Sequence, residues 1–270
     1  MNSEESSLLS MADLRGLWRR KWISSAEDGG VSLSVYWLQT DSLFADIRLP
    51  VERRIAASTV AEADAAGLRD LAACEGFAGR AELHEAHCTW HRAFDWQPDV
   101  GVADIGHVRA EGDLLYEHGV HRDYSEVWQR LTPARAPAFG LELRDLSDGR
   151  AGYLVSIADF FIYARGRPAQ LRGAGDLTTM LDDCSDTEAK RALFDAEIAM
   201  GEVSPGWLIT HCTYPWREGE RLFQGPLATV GGTLTMAETD RDGRVKQRCW
   251  QVVAHEATPQ DGAVATAEPT

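Results

Sequence analysis

Polar side chains interrupt an apolar run at residues 34–50, SVYWLQTDSLFADIRLP. On its second strand, alternation puts Phe44, Asp46 and Arg48 on one face and only apolar side chains on the other. The apolar face suits a dry core, so the Asp–Arg face is directed either to solvent or into a cavity. An enclosed ion pair could hold a polar-headed ligand. Asp46 and Arg48 are therefore candidate catalytic residues, with Arg48 orienting an anionic or carbonyl group.

The strand before that turn adds aromatic and amide side chains. Alternation places Trp37 and Gln39 on one face and Tyr36 on the other. We expect Tyr36, Trp37, Gln39 and Phe44 to bind substrate. Tyr36 or Tyr124 would donate a hydrogen bond to it. A solvated strand that binds nothing is the alternative interpretation of the whole stretch.

Histidines cluster in the first half of the chain. They are His84, His87, His91, His107, His118 and His121. At about 3.3 Å per residue, His87 and His91 lie about 13 Å apart along one strand face, which is too far for shared metal ligation. A metal site assembled from several strands, or a haem-ligating histidine, stays open, but we expect no metal and no cofactor. His87 is the preferred catalytic acid or base, and a packing role is its alternative.

A second polar concentration lies at residues 114–128, LLYEHGVHRDYSEVW. Gly119 to Asp123 predicts a hairpin turn, which brings the flanking residues to the rim of the sheet. We expect Glu117, Tyr124 and Glu126 to contribute to substrate binding. Ordinary surface charge is the alternative, since rims also collect solvated side chains.

Composition excludes several classes of function. The 270 residues carry a formal net charge of −15, which disfavours nucleic acids and anionic membranes because both need basic patches. No apolar stretch is long enough to span a membrane, and the acidic start is unlike a signal peptide, so we expect a cytoplasmic protein. The five cysteines are widely spaced, which predicts reduced thiols. Nucleotide-binding loops and a nucleophile elbow are absent from the sequence.

The pattern along the chain is mainly that of short strands separated by turn residues. Two Ala- and Leu-rich segments predict helices, 58–76 with Ser58 as N-cap and 176–201 with Asp176 as N-cap. The segments occupy corresponding places in the two halves. We therefore predict a mainly β protein with one inserted helix in each half.

Short similar segments that recur in the same order in both halves indicate an internal duplication. SLFADIRLP at 42–50 corresponds to DFFIYARGRP at 159–168, and HCTW at 87–90 corresponds to HCTY at 211–214. A single continuous β-domain with chance echoes is the alternative. Under duplication, the second half carries Tyr where the first has Asp46, which points to a more structural role.

The first strand opens with Gly16-Leu17-Trp18, and the chain then continues as an antiparallel meander. This resembles lipocalin-like barrels of the calycin superfamily, in particular poorly characterised proteins built from two such barrels. The resemblance extends over Leu14–Val253. It implies that the tryptophan plugs one end of the barrel and that an arginine, Arg130 here, stacks over it.

The resulting prediction is two lipocalin-like antiparallel β-barrels. Their bounds are 13–134 and 135–254, with disordered ends at 1–12 and 255–270. We expect the N-terminal barrel to bind a small, partly apolar metabolite. Conversion by cofactor-free acid–base chemistry, of the isomerase, cyclase, dehydratase or lyase type, is an extension of that hypothesis. A non-catalytic interaction module with filled barrels is the rival, and the sequence predicts no oligomeric state.

Overall fold

The computed structural model describes residues 9–25, 32–173, 175–223, 228–257 and 265–266. Most of the two predicted disordered ends lies outside the described residues. The predicted mainly β class is confirmed. None of the helices in the described ranges is long and apolar enough to cross a membrane.

Eight antiparallel strands form a closed barrel, in which the first strand pairs with both the second and the eighth. They are β1 (Gly16–Ser25), β2 (Leu33–Gln39), β3 (Leu43–Pro50), β4 (Glu75–His84), β5 (His87–Asp95), β6 (Asp104–Glu111), β7 (Leu114–Gly119) and β8 (Tyr124–Arg130). The predicted turn between β7 and β8 is present. Closure pairs every strand on both sides, so this sheet leaves no open edge.

The barrel is plugged at the end where β1 begins. Trp18 is fully buried there, and its Nε1 donates to the carbonyl of Leu14 at 2.7 Å. The guanidinium of Arg130 lies 4.4 Å from the Trp18 ring and donates to the carbonyls of Asp13 and Arg15 at 2.6 Å each. Arg130 therefore occupies the position predicted for it.

That plug includes residues assigned to the predicted disordered N-terminus. A short helix, α1 (Met11–Leu14), precedes β1, and the side chain of Asp13 accepts from the Ser10 backbone N–H at 2.8 Å. Residues 9–12 of the predicted disordered end are therefore ordered, since Leu9 and Met11 pack against the barrel interior.

Nine strands form a second sheet. They are β9 (Ala138–Asp145), β10 (Ala151–Ile157), β11 (Phe160–Arg165), β12 (Glu197–Glu202), β13 (Leu208–Cys212), β14 (Ala228–Val230), β15 (Thr233–Thr239), β16 (Val245–Ala257) and β17 (Ala265–Thr266). Their order is β13-β12-β11-β10-β9-β16-β15-β14-β17. From β13 to β14 this order matches the circular order of the barrel, except that the described residues of β13 and β14, in the places of β5 and β6, are not paired with each other. The sheet is strongly curved, since Tyr163 on β11 donates to Glu238 on β15 at 2.5 Å.

The helices are shorter than predicted. Helix α2 (Ala65–Ala72) starts after the N-cap Asp64, so Ser58 is not its cap. Asp176 does cap α3 (Leu177–Asp183), and α4 (Thr187–Ala192) follows it. The predicted helix to residue 201 is wrong beyond this point. Residues 197–202 form strand β12 instead, because burial inside the sheet outweighs their mixed secondary-structure propensity. A 3₁₀ turn lies at Pro215–Arg217.

The barrel and the second sheet share one apolar core. Strand β3 contacts strands β9 to β12 through the outer face of the barrel. The side chains that β3 contributes are Leu43, Ala45, Ile47 and Leu49, all buried. The prediction that this face packs against a dry core is confirmed, and it directs Asp46 and Arg48 into the barrel.

Strand β16 also joins the two units. It runs past the predicted boundary at residue 254, and Glu256 near its end accepts hydrogen bonds from the β2–β3 turn. The donors are Thr40 Oγ1 at 2.6 Å and the Ser42 backbone N–H at 3.0 Å. These bonds fix the turn that connects the two strands of residues 34–50.

Candidate functional site

The barrel encloses a cavity of about 680 Å³ that opens at the end opposite the Trp18 plug. Its deep wall comes from alternate residues of the strands, and its mouth includes Gln97, Pro98 and, from the second half of the chain, Asp176 and Thr178. The interior side chains that matter below are Arg20, Trp37, Asp46, Arg48, Phe77, Trp90, Arg92, Glu117, Tyr124, Glu126 and Trp128. A cavity of this size accommodates a small organic molecule.

Tryptophans form the apolar part of the cavity. Trp37 is buried and contacts Trp90 and Trp128 edge-on, with ring centroids 5.6 and 5.7 Å apart. Trp37 also stacks on Trp18 of the plug at 6.0 Å. Such edge-to-face and offset contacts are favourable and hold the rings in place. The cavity therefore has a rigid aromatic floor.

An ion pair forms one side wall. Arg48 Nε donates to Asp46 Oδ1 at 2.8 Å, and its guanidinium lies 4.9 Å from the Phe77 ring. Glu75 at the mouth lies 3.8 Å from Arg48 Nη1. Burial raises the pKa of Asp46 to about 6, although the charge of Arg48 opposes the shift.

A second arginine lies over the same phenylalanine ring. Arg92 lies 3.5 Å from the Phe77 centroid and donates to Asp95 at 2.7 Å and to Asp104 at 2.6 Å. The charges of Arg48 and Arg92 both act on Asp46. Two guanidinium groups thus converge on one side of the cavity.

A carboxyl group lies on the other side. Glu117 accepts from Tyr124 OH at 2.6 Å and from Trp128 Nε1 at 3.0 Å. Burial, together with the charge of neighbouring Glu126, raises the pKa of Glu117 to about 8. Gly106 makes room for this side chain, since a Cβ there would lie 2.9 Å from Glu117 Cγ.

Glu126 has its own partner. Arg20 Nη1 donates to Glu126 Oε1 at 2.7 Å, and both side chains are nearly buried. The cavity therefore contains cations and anions on several strands, each held by a neighbour. Such groups are positioned before any ligand arrives, which lowers the cost of binding.

A second cavity, of about 470 Å³, lies against the outside of the same wall, beside Arg80, Glu142 and Tyr153. The two cavities share Trp90, Arg92, Asp95, Asp99, Val102, Ala103 and Asp104. Pairing of β5 with β6 ends at Trp90 and Asp104, and the strands diverge toward the mouth. The hydrogen bond from Arg92 to Asp104 links the two diverging strands at this point.

Five predicted site residues line the cavity besides Arg48. They are Trp37, Asp46, Glu117, Tyr124 and Glu126. The structure brings them together from β2, β3, β7 and β8. Alternation grouped Asp46 with Arg48 and Tyr124 with Glu126 on common strand faces, and the structure places both of these faces toward the cavity.

The other predicted residues lie elsewhere. His87 is exposed on the outer face, because its buried neighbour Cys88 takes the inner one. Tyr36 points outward and packs on His211 at 5.3 Å. Gln39 is buried toward the plugged end, where its amide donates to the backbone carbonyls of Thr40 and Leu43. These three residues are not in contact with the cavity.

Phe44 also has a packing role. It is buried in the barrel interior and contacts Phe77 edge-on at 5.9 Å, below the cavity surface. The strand face of Phe44 was predicted correctly, but its depth inside the barrel was not. Alternation shows to which side of the sheet a side chain points, and it does not show how far that side chain lies from the mouth of the cavity.

Sequence reasoning missed several lining residues. They are Arg20, Phe77, Trp90, Arg92 and Trp128. Tyr124, Glu126 and Trp128 alternate along one strand, so Trp128 was accessible to the same argument that selected the first two. Arg92 was accessible as well, since it alternates with Cys88 and Trp90. The bulge on β5 lies after Arg92, at Ala93, and brings Asp95 to the cavity, which alternation along the strand does not predict.

The described part of the chain has no cluster of three metal-ligating side chains. In the part of the chain that the structure describes, no group of three or more His, Cys, Asp or Glu residues is arranged to hold a metal ion. The five cysteines are free thiols, and Cys249 is the exposed one.

The fold is similar to a solved structure, the uncharacterized protein YLR301w from Saccharomyces cerevisiae. The TM-score is 0.50 at 10% sequence identity, and the match covers 90% of this chain and 99% of that chain. At this identity the similarity concerns the fold alone. No protein-family model matches the sequence, and no curated protein matches it significantly.

Proposed function

We propose that the barrel binds a small metabolite with a planar, partly apolar body and an anionic or carbonyl group. The observation that carries this proposal is the cavity itself, with tryptophans on its floor and two arginines on one wall. The rings offer dispersion contacts to a planar body. Arg48 and Arg92, which both lie close to the Phe77 ring, would hold the polar group.

Acid–base conversion of that metabolite is a second candidate, of the isomerase, cyclase, dehydratase or lyase type. Two carboxyl groups favour it, because burial raises the pKa of Asp46 to about 6 and that of Glu117 to about 8. At neutral pH the first group is mostly ionised and the second mostly protonated, which suits a base and an acid. His87, on the outer face, has no part in this proposal.

We also propose that the two halves derive from one lipocalin-like barrel by duplication, and that the second sheet is the opened copy. The matching strand order supports this, as do equivalent pairs. Arg48 lies opposite Glu75, and Arg165 lies opposite Glu197. The bond from Trp128 to Glu117 likewise has its counterpart in Trp250 Nε1, which donates to Glu238 at 3.1 Å.

The lack of nucleic-acid partners belongs to the same proposal and rests on the charge of −15. The cytoplasmic location stays a prediction. The rival, an interaction module with filled barrels, is less well supported, because the first barrel contains open space.

A pair of fluorescent probes tests the binding proposal. N-phenyl-1-naphthylamine and 8-anilino-1-naphthalenesulfonate share one aromatic body, and only the second carries an anion. We expect both to bind with one site per chain and to quench tryptophan emission. Arg48→Met should weaken binding of the sulfonate about tenfold and leave the neutral probe unchanged, since one ion pair with a buried cation contributes about 1.4 kcal/mol.

Arg109→Met is the matched control. Arg109 is also a strand arginine that is ion-paired, to Glu111, and stacked on an aromatic ring, Tyr116 at 4.5 Å, but it lies on the outer face. It should change neither affinity. If neither probe binds, the cavity does not accept a ligand of this class. Native mass spectrometry of the purified chain would then test for a tightly held molecule of another class.

A further inference from the structure

Four histidines lie side by side on four consecutive strands of the barrel. His84 on β4 is directly opposite His87 on β5, His87 is opposite His107 on β6, and His107 is opposite His118 on β7. Directly opposed residues of antiparallel strands point to the same face, with Cβ atoms about 4.5–5.5 Å apart. The four imidazoles therefore form one continuous row, called the histidine row below.

The histidine row faces solvent. All four side chains are exposed, whereas the sequence neighbours Cys88, Val108 and Glu117 are buried in the barrel interior. The row and the ligand cavity thus occupy opposite sides of the same wall, and neither depends on the other.

The central pair is already close. The rings of His87 and His107 lie 5.3 Å apart and are nearly perpendicular. At one end of the row, Nδ1 of His118 is 2.8 Å from Ser125 Oγ, which fixes that ring and turns its Nε2 away from the hydroxyl. Exposed rings on a rigid sheet need only side-chain rotation to aim two nitrogens at one point.

We propose that the histidine row binds a divalent transition-metal ion, with His87 and His107 as its two protein ligands and water in the remaining positions. Imidazole nitrogen coordinates such ions at about 2.0–2.1 Å. Two histidines opposed on neighbouring strands can each place one ring nitrogen at this distance from a shared metal ion. Two ligands also agree with the lack of any three-ligand cluster among the described residues.

The site should prefer Cu²⁺ to Ni²⁺ and Zn²⁺. A pair of neutral imidazoles imposes little geometry, so affinity follows the intrinsic order of these metals. Ca²⁺ and Mg²⁺ should not compete, because they require oxygen ligands.

Copper titration of the full chain without a polyhistidine tag tests this proposal. We expect one Cu²⁺ per chain, with an electron paramagnetic resonance spectrum showing two equatorial nitrogens. His87→Asn and His107→Asn should each weaken binding about tenfold or more, because loss of either ligand removes the advantage of two linked donors.

The control is His91→Asn. His91 is exposed on the same strand and face as His87 but is opposed by Arg80 instead of a histidine. It should keep the affinity and spectrum of the wild type. Circular dichroism confirms that each surface variant is folded. Wild-type protein that binds no copper, or equal losses in the His87 and His91 variants, would overturn the proposal.

Discussion

The barrel and the second sheet place the same kind of ion pair at the same register and use it differently. Arg48 lies opposite Glu75 and Arg165 lies opposite Glu197. The Arg48 side chain is 18% exposed, at the wall of a cavity, whereas that of Arg165 is 1% exposed. The barrel keeps this arginine accessible from its cavity, and the second sheet encloses its equivalent.

The enclosed charges of the second sheet stabilise one another. Arg165 lies within 3.3–3.6 Å of carboxylate oxygens of Asp195, Glu197 and Glu238. Glu197 also accepts from Arg217 at 3.0 Å. A dry network of this kind is costly to break, since a removed partner leaves an uncompensated charge. The difference shows that similar strands can enclose either a binding cavity or a filled core.

The sharpest test of this comparison is to remove each arginine. Arg165→Met should lower the free energy of unfolding by about 3–5 kcal/mol, because buried carboxylates lose their cation. Arg48→Met should lower it by about 1 kcal/mol or less, because Glu75 is partly exposed and Asp46, whose pKa is raised to about 6, can take up a proton when its cation is removed. Guanidinium denaturation followed by tryptophan fluorescence and circular dichroism measures both changes.

Equal losses in these two variants would contradict the comparison. They would mean either that the second interior is wet or that the barrel is filled. Arg109→Met, on the outer face of the barrel, sets the scale for an exposed arginine and should change stability by less than about 0.5 kcal/mol.

A smaller effect is expected from Glu117, and it depends on pH. Burial raises the pKa of this carboxyl from 4.5 to about 8. Between these values the folded chain retains a proton that the unfolded chain has released, so stability falls as pH rises through about 8 and is fully present below 4.5. Relative to wild type, Glu117→Gln should gain about 2 kcal/mol between about pH 6.5 and about pH 9.

Glu238→Gln is the matched variant in the second sheet. Glu238 also accepts from a tryptophan, but it is ion-paired to Arg165 and Arg248. Its replacement should be destabilising at both pH values, because it removes the partner of two cations. A pH-independent Glu117→Gln would show that this carboxyl is solvated in the folded barrel.

Periodicity predicted the parts of this structure that depend on local pattern. The strands of residues 34–50, the outward apolar face of β3 and the inward Asp46 and Arg48 all follow from alternation along extended chain. Helix ends were less accurate: Asp176 is a cap, but the strand at residues 197–202 was assigned to a helix. Burial in a sheet outweighed the helical propensity of alanine and methionine there.

Properties that depend on register between distant strands were not predicted. Alternation separated His87 from Cys88 but did not show which of the two points inward, and it could not show that His107 and His118 lie beside His87. A bulge on β5 likewise placed Asp95, and not Phe94, at the cavity. Pairing across strands is set by the closed barrel as a whole, so one sequence read along its length does not reveal it.

The smallest expected effect concerns His87 and separates the inner from the outer face of one strand. In metal-free buffer, His87→Ala should change the free energy of unfolding by less than about 0.5 kcal/mol, since the side chain is exposed. It should leave binding of both naphthylamine probes unchanged. Cys88→Ala, one residue further on and fully buried in the barrel interior, should cost about 1 kcal/mol or more. Weaker probe binding by the His87 variant would mean that the outer face communicates with the cavity, and the division between the two sides of this wall would then be wrong.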